Sequence, residues 1–476
     1  MRLLLGLLTT AALFSVVSLR AEDDSGLTSS ADAWNTYRER FEAAQRSATS
    51  LGAGSCASAN CHAGAKPRLG EVFLGDEWNQ WYHEGKGSHF RAYKVLNEDA
   101  RSDVMAELLY GPGAVAKDRT ECLACHGLYV DETYRGRSYD IEDGVTCEAC
   151  HGKSESWLGP HQNPRAWRGK QTVEQRTAVG FYDTRDLIHR TEKCLECHLG
   201  TASKRVTHNM MAAGHPPLTF ELVSDSERVP RHWKDDQCFL SPDEGALYHA
   251  RAWAVGQLVT LRESMYRLVD WTQRHHGADY ALFDCYACHH VIGSPGWKPQ
   301  RGSYRPLGEP TFDTSTMLMP RFIVARLAPD QLNRFKELTE TVAARYLPRG
   351  GDPPGAIAAA RELAGMMDEL ARKAADRNFS DADRRAILTR LAEERSAPSM
   401  GDYRSATQAF FAANALYCRA QQGKACENVQ ENNAARAIAT LHDHLFDEKG
   451  NERPEHYDPD FVAAQLEALG KRNAGD

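Results

Sequence analysis

The chain has 476 residues and a formal net charge of −8 at pH 7. An acidic balance argues against nucleic acid as a partner, because phosphate backbones attract basic surfaces. The length exceeds what one ordinary hydrophobic core holds, so we expect more than one domain.

The first residues predict a cleaved export signal. Arg2 supplies one positive charge, an apolar run extends from Leu3 to Val17, and Ala21 precedes an acidic stretch. The apolar run, about 15 residues, is shorter than the roughly 20 that a membrane-spanning helix needs. We therefore expect residues 1–21 to be removed, and the mature protein to be periplasmic or otherwise exported and to have no integral membrane segment.

Residues 56–62 read CASANCH, and the ending Cys-His recurs four more times along the chain. The later copies are CLACH at 122–126, CEACH at 147–151, CLECH at 194–198 and CYACH at 285–289. Ten of the 13 cysteines thus fall into five pairs, each followed at once by histidine. The spacing Cys-x-x-Cys-His is typical of covalent haem attachment, in which the thiols bond the porphyrin and the histidine binds the iron.

The repeated motif predicts five covalently bound haems c. The first site is the least regular, because its cysteines are separated by four residues instead of two. The predicted thioether cysteines are Cys56, Cys61, Cys122, Cys125, Cys147, Cys150, Cys194, Cys197, Cys285 and Cys288. The predicted proximal iron ligands are His62, His126, His151, His198 and His289.

Zinc is the alternative use of paired cysteines. Zinc sites combine a Cys-x-x-Cys with a second pair or with two histidines at short range, whereas the intervals here are irregular and histidine follows every pair. Exported thiolates would also be exposed to oxidation. We therefore favour haem. Outside the motifs, Cys418 and Cys426 are candidates for a disulfide, and Cys238 is expected to be a buried thiol.

The segment from residue 31 to about residue 296 is rich in loops, and one long helix is predicted within it. Ser241 and Glu244 form a capping box, with Pro242 in the first turn. Apolar residues then repeat at steps of three and four, which predicts an amphipathic helix of about eight turns before the fifth motif. The repeating residues are Leu247, Ala250, Ala254, Leu258, Leu261, Met265 and Leu268.

Beyond a stretch rich in proline and glycine, the rest of the chain has helical periodicity and no haem motif. Four or five antiparallel helices are expected, and Ser380 is a predicted cap. The periodic segments are 329–347, 356–375, 380–395 and 402–418.

The predicted fold class is mainly α with extensive loops, a multihaem cytochrome c domain followed by a C-terminal helical bundle. The predicted divisions are a signal peptide at 1–21, a pentahaem cytochrome c domain at 22–300, a linker at 301–324 and a helical C-terminal domain at 325–476.

The motif order resembles that of the cytochrome c-554 family. The likeness spans roughly residues 54–200 and includes GDEWNQWYHEGKGSHFRAYKVL before the second motif and GVTCEACHGKSESWLGPH around the third. Tetrahaem members of that family relay electrons from hydroxylamine oxidation, so the resemblance implies a relay. It also implies distal iron ligands at His89, in SHFRAY, and at His161, ten residues after the third motif.

The chain departs from the tetrahaem pattern in its first spacer, its fifth motif and its helical tail. The tetrahaem relatives keep one five-coordinate haem at the place of CLACH. The resemblance therefore makes His126 the place to look for an open iron.

Five irons with five proximal histidines need up to five further axial ligands. Besides His89 and His161, the segment HNMMAAGHPPLTFEL resembles the larger exported multihaem relatives and contains two histidines. The distal candidates are His89, His161, His208, His215, His232, His290 and, in reserve, His189. Met210 and Met211 are less favoured alternatives. Histidine on both faces of an iron implies a lower potential than histidine with methionine.

Two functions fit these motifs. A relay passes electrons between haem edges and needs no open iron, and its partners are redox protein donors and acceptors. A haem enzyme needs one open iron on which hydroxylamine, nitric oxide or nitrite reacts. No Cys-x-x-Cys-Lys motif, which would announce a nitrite-reductase active haem, occurs in the chain. We favour the relay and predict no catalytic residue; the helical tail is a candidate for docking to a membrane-bound redox complex under either function.

Overall fold

The fold is helical throughout the part of the chain that the computed structural model describes. Within that part, the only β contacts are isolated bridges. The mainly α fold class is thereby confirmed, while the predicted signal peptide lies outside the described residues. The described residues are 39–56, 89–163, 167, 172–229, 242–275, 278–285, 288–289, 310–347, 350–375, 379–393, 402–419, 433–448 and 450–470.

Short helices joined by loops form the first part. They are α1 (Ala53–Cys56), α2 (Arg91–Glu98), α3 (Ala100–Tyr110), α4 (Thr120–His126), α5 (Cys147–His151), α6 (Leu158–His161), α7 (Val173–Ala178), α8 (Leu187–His198), α9 (His208–Ala212) and α10 (Leu222–Arg228). Helices α4, α5 and α8 each end on the histidine of a Cys-x-x-Cys-His motif. After α5 the chain turns at Gly152, whose φ of 82° lies in the left-handed region that favours glycine.

The long helix predicted before the fifth motif is α11 (Pro242–His275), with 34 residues. The four side chains from Ala252 to Val255 are at most 3% exposed although they point in successive directions. The helix is therefore buried on several faces, whereas the periodicity predicted one apolar stripe. Neither α11 nor any other helix in the described ranges is long and apolar enough to cross a bilayer.

Seven α-helices follow in the described tail. They are α12 (Ser315–Leu327), α13 (Leu332–Arg345), α14 (Pro353–Ala375), α15 (Asp381–Glu393), α16 (Tyr403–Ala413), α17 (Asn433–Leu445) and α18 (Pro459–Gly470). The expected number of four or five was too low, because the periodic segments correspond only to α13–α16. The predicted cap is confirmed: the Asp383 amide donates to the Ser380 hydroxyl at 3.2 Å, and the Ser380 amide donates to the Asp383 carboxylate at 2.8 Å.

Helix α12 occupies residues 315–324 of the predicted linker. Its side chains from Met317 to Ala325, except Arg321, are buried, and Pro320 lies inside the helix. Proline content suggested a linker, but burial of the apolar side chains stabilises a helix despite the missing amide hydrogen bond. This part of the linker prediction is corrected.

One hydrophobic core joins helices from both parts of the chain. Its buried residues extend from Leu187 on α8 to Leu469 on α18. Helix α11 contacts α8 and α10 as well as α12 and α14. Helices on both sides of the predicted linker thus share a core, and the division into domains stays a prediction. A much smaller cluster lies around α2, α3 and α4.

A buried arginine links three of these helices. Arg262 on α11 is 1% exposed, and its guanidinium contacts the carboxylates of Glu192 on α8 and, at 2.6 Å, Asp368 on α14. Burial lowers the pKa of Arg262, but the carboxylates of Glu192, Glu263 and Asp368 outweigh this and raise it above the ordinary value. The side chain therefore stays charged and holds α8, which carries the fourth motif, to α11 and the tail.

We expect Arg262→Ala to lower the free energy of unfolding by about 3–5 kcal/mol, because it leaves buried carboxylates without a partner. Urea unfolding of the holoprotein, followed by circular dichroism, measures the change. The matched control is Arg334→Ala, which removes an exposed pair with Glu362 and should leave the midpoint unchanged. Equal midpoints for the two variants would contradict a structural role for Arg262.

Candidate haem-binding sites

Three attachment motifs are described over their whole length, and each forms the last turn of a helix. In α4, Cys125 lies three residues after Cys122, and His126 lies four residues after Cys122. Side chains at these spacings lie on one face of a helix. The same arrangement holds in α5 and α8. Each helix therefore presents two thiols and one imidazole on one side, the donor set that covalent haem attachment needs.

Backbone carbonyls fix the imidazoles of two motifs. The Nδ1 atom of His126 lies 2.9 Å from the Ala92 carbonyl oxygen, and that of His151 lies 3.1 Å from the Tyr182 carbonyl oxygen. A carbonyl only accepts hydrogen bonds, so each Nδ1 carries the proton and donates. The lone pair is left on Nε2, in the tautomer that binds a metal through Nε2.

Three motif histidines each face a histidine from a distant part of the chain. The three pairs have nearly equal separations between their ring centres. The separations are 6.2 Å for His89 and His198, 6.3 Å for His126 and His215, and 6.3 Å for His208 and His289.

These separations match two imidazoles on opposite sides of one metal ion. A metal-bound nitrogen lies roughly 2 Å from the metal and the ring centre about 1 Å behind it, which puts the two centres about 6 Å apart. Ordinary edge-to-face contacts between rings also span about 4.5–7 Å. The composition of the pairs favours metal ligands over ordinary ring contacts, because each pair combines one motif histidine with one histidine from outside the motifs. These pairs could each hold an iron.

Two of the paired imidazoles are held in the neutral form that binds metals. Burial, followed by the neighbouring His198, lowers the pKa of His89 to about 4. Burial also lowers the pKa of His126, with a further contribution from His215. Both rings therefore keep a free lone pair at neutral pH.

The loop ahead of the third motif positions His89. The Val145 amide donates to the His89 carbonyl at 3.0 Å. Gly144 has a φ of 70°, and a Cβ there would lie 2.7 Å from the same carbonyl oxygen. This close approach requires glycine, and it ties His89 to the chain entering the third motif.

Thiols of different motifs contact each other. Cys125 of the second motif hydrogen-bonds with Cys197 of the fourth, and Cys56 of the first with Cys147 of the third. The contact with Cys125 is the main cause that lowers the pKa of Cys197 to about 7. The second motif therefore lies beside the fourth, and the first beside the third.

The family comparison agrees with this donor set. Residues 55–152 match the family described as cytochrome c554 and c-prime. Over this stretch the chain is similar to that family. A curated relative, cytochrome c-554 of Nitrosomonas europaea, is 30% identical over 121 residues, which are 24% of this chain and 48% of the relative. The chain thus spans about half the length of that relative, and no solved structure matches it.

The similarity to cytochrome c554 implies covalently bound haem c, and the residues present fit that group. Beside the fourth motif lies a pocket lined by residues that include His198, Phe220, Leu282 and Arg404. Arg404 comes from α16, pairs with Asp313 and donates to the Leu218 carbonyl at 2.9 Å. The tail therefore forms part of the wall around the space that the fourth motif faces.

An acidic residue within the third motif holds the chain that enters the first. Glu148 is 3% exposed. One of its oxygens accepts hydrogen bonds from the Ser50 hydroxyl at 2.5 Å and the Gly52 amide at 2.9 Å. The other accepts from the amides of Leu51 at 2.9 Å and Ser154 at 2.6 Å. Residues 50–52 are thereby fixed against the third motif, which explains the contact between the first and third motifs.

Acidic residues inside the motifs were not among the predicted site residues. Glu196 lies one place further along the fourth motif than Glu148 does in the third, and it pairs with Lys193 and, at 3.0 Å, with Lys204. Burial raises the pKa of Glu196, but the two ammonium groups outweigh this and hold it below the ordinary value. A carboxylate between two attachment cysteines was the signal that could have indicated both residues.

Two other distal candidates lie among aromatic rings. The ring of His161 is 5.6 Å from that of Trp157 and 5.2 Å from that of Trp167, both edge-to-face. His189 is buried on α8, and its ring centre lies 5.6 Å from that of Tyr182. The roles of His161 and His189 as axial ligands stay predictions.

Several predicted residues lie outside the described part of the chain, namely Cys61, His62, His232, Cys238, His290 and Cys426. Cys418 is disulfide-bonded, and the described motif cysteines are free thiols. The pairing of Cys418 with Cys426 stays a prediction.

We expect Glu148→Gln to destabilise the protein, because an amide turns an NH₂ group toward two of the four hydrogen-bond donors. The expected loss is at least about 1.5–3 kcal/mol, the range for one hydrogen bond to a charged group, and thermal unfolding of the holoprotein measures it. Glu155→Gln is the control, since the Glu155 carboxylate accepts the Thr49 amide at the surface. A Glu148→Gln midpoint as high as that of the control would contradict the proposed anchoring.

Proposed function

We propose that this chain is an exported multihaem cytochrome that relays electrons between redox proteins through five haems c. The supporting observation is the set of three facing imidazole pairs. An iron with imidazole on both faces has no free position for a substrate. Such a site exchanges electrons with its surroundings but does not bind a molecule for conversion.

The contacts between motifs support a relay for a second reason. In the proposed holoprotein each of these thiols is bonded to a porphyrin edge. The contact of Cys125 with Cys197, and that of Cys56 with Cys147, would therefore place two porphyrin edges close together in each case. Close edges allow electrons to pass from one haem to the next without a diffusing carrier.

The protein sets the properties of these sites through its axial ligands. When bound, haem c supplies a one-electron iron couple whose potential depends on ligand identity and surroundings. Histidine on both faces favours a lower potential than histidine with methionine. The carbonyls of Ala92 and Tyr182 accept the Nδ1 protons of His126 and His151, which makes both imidazoles stronger donors.

The proposal includes the predicted setting of the protein. The signal-like residues 1–21 favour a periplasmic or otherwise exported location, where c-type haems are attached. A relay needs one redox protein as electron donor and another as acceptor, and one of them could be a membrane-bound complex to which the helical tail docks.

A haem enzyme acting on hydroxylamine, nitric oxide or nitrite would need an iron with an open face. The resemblance to tetrahaem relatives points to His126 for such a site. There the ring of His215 lies at 6.3 Å, which favours the relay over the enzyme.

The intact mass of the purified holoprotein should exceed that of the processed chain by five haem masses. Replacing Cys56 and Cys61 together by serine should reduce the gain to four, whereas Cys238→Ser should retain five, because Cys238 lies outside the motifs. A mass gain of only four haems for the unmodified protein would contradict attachment at the first motif. Mass spectrometry under denaturing conditions makes the measurement.

His89→Ala should convert one low-spin haem to high-spin, because water replaces the imidazole on the iron that His198 holds, while every covalent attachment remains. Electron paramagnetic resonance of the oxidised protein measures the conversion, and His442→Ala, a half-exposed tail histidine, is the control. The unmodified protein should be mostly low-spin and should turn over neither hydroxylamine nor nitrite at a useful rate. Rapid turnover of either compound would reverse the choice between relay and enzyme.

A further inference from the structure

The segment from His208 to His215 is short and tightly folded. Helix α9 begins at His208, and the Met210 amide donates to the hydroxyl of the capping Thr207 at 3.3 Å. The chain then turns at Gly214, whose φ of 116° favours glycine, and the His215 amide donates to the Met210 carbonyl at 3.0 Å. One short helix and one tight turn thus separate the two histidines.

His215 faces the second motif. Its ring centre lies 6.3 Å from that of His126, and the two planes are inclined at 89°. The Nδ1 atom of His215 lies 2.7 Å from the Pro216 carbonyl oxygen, just as that of His126 lies 2.9 Å from the Ala92 oxygen. Both rings therefore use Nδ1 to donate to the backbone, and both keep Nε2 for a metal.

His208 faces a different motif. Its ring centre lies 6.3 Å from that of His289, the motif histidine of the fifth site, and 5.7 Å from that of Tyr280. His289 directly follows Cys288, so its partner must come from elsewhere in the chain. The two ends of one eight-residue segment thus reach two different attachment motifs.

We propose that this segment supplies the distal ligands of two irons, His215 to the iron held by His126 and His208 to the iron held by His289. The inference rests on the haems proposed at these two motifs. It closes the iron for which the resemblance implied an open face. It also makes the segment 208–215 a direct link between the fifth haem and the second, so that the fifth haem extends the relay instead of standing apart from it.

The test counts high-spin iron in holoprotein variants. His208→Ala, His215→Ala and the double variant are compared with Asn209→Ala, an exposed position of the same helix. Paramagnetic resonance of the oxidised proteins measures the high-spin fraction, and intact mass verifies that the number of attached haems is unchanged.

Each single variant is expected to gain one haem equivalent of high-spin iron over the unmodified protein. The double variant should gain two haem equivalents of high-spin iron, and Asn209→Ala should gain none. Added imidazole should return each variant to the low-spin state, which a misfolded site would not do. His215→Met should stay low-spin and raise the potential of one haem, because a thioether replaces an imidazole.

Two results would overturn the assignment. One is a single variant with its full complement of haems and no additional high-spin iron. The other is a double variant that gains only one equivalent, which would mean that both histidines act on the same iron. These outcomes do not depend on whether the protein is a relay or an enzyme, because that question is decided by substrate turnover of the unmodified protein.

Discussion

Pairs of facing imidazoles bring together parts of this chain that are far apart in sequence. His89 meets the end of α8, and His215 meets the end of α4. Among the described residues around α2–α4, the apolar cluster has six buried members, whereas α8, α10 and α11 share a large core with the tail. With the proposed irons bound between these imidazoles, the first part would depend on them for stability, in the way that small metal-binding domains depend on their metal.

Local patterns predicted much of the fold. Helices α13–α16 follow from apolar periodicity, and the cap at Ser380 follows from a serine ahead of an acidic first turn. Helix α12 was missed because Pro320 and the preceding proline-rich stretch suggested a linker. In α17 the buried positions include Ala434, Ala435 and Ala437. Alanine gives a weak apolar signal, so their burial depends on neighbours that the sequence does not show.

The attachment motifs were predictable because covalent haem chemistry requires two thiols and an imidazole at fixed local spacing. The facing histidines were named only among several candidates, and their partners were not predicted, since the partner of a histidine depends on tertiary packing. His215 illustrates this: it lies beyond the matched residues 55–152, so similarity alone left the iron at His126 open. Glu148 was missed for the same reason, because its four donors come from segments on both sides of it.

The hydrogen bonds of Glu148 have a consequence for the order in which the chain becomes structured. Residues 50–52 are synthesised first, and the carboxylate that holds them follows 96 positions after Gly52. Because polypeptides emerge from the N-terminus, this stretch has no acceptor for its amides until the third motif has been made. The chain that enters the irregular first motif at Cys56 is thus fixed only after the third motif has been made. A clamp supplied from a later motif delays the closure of an earlier one.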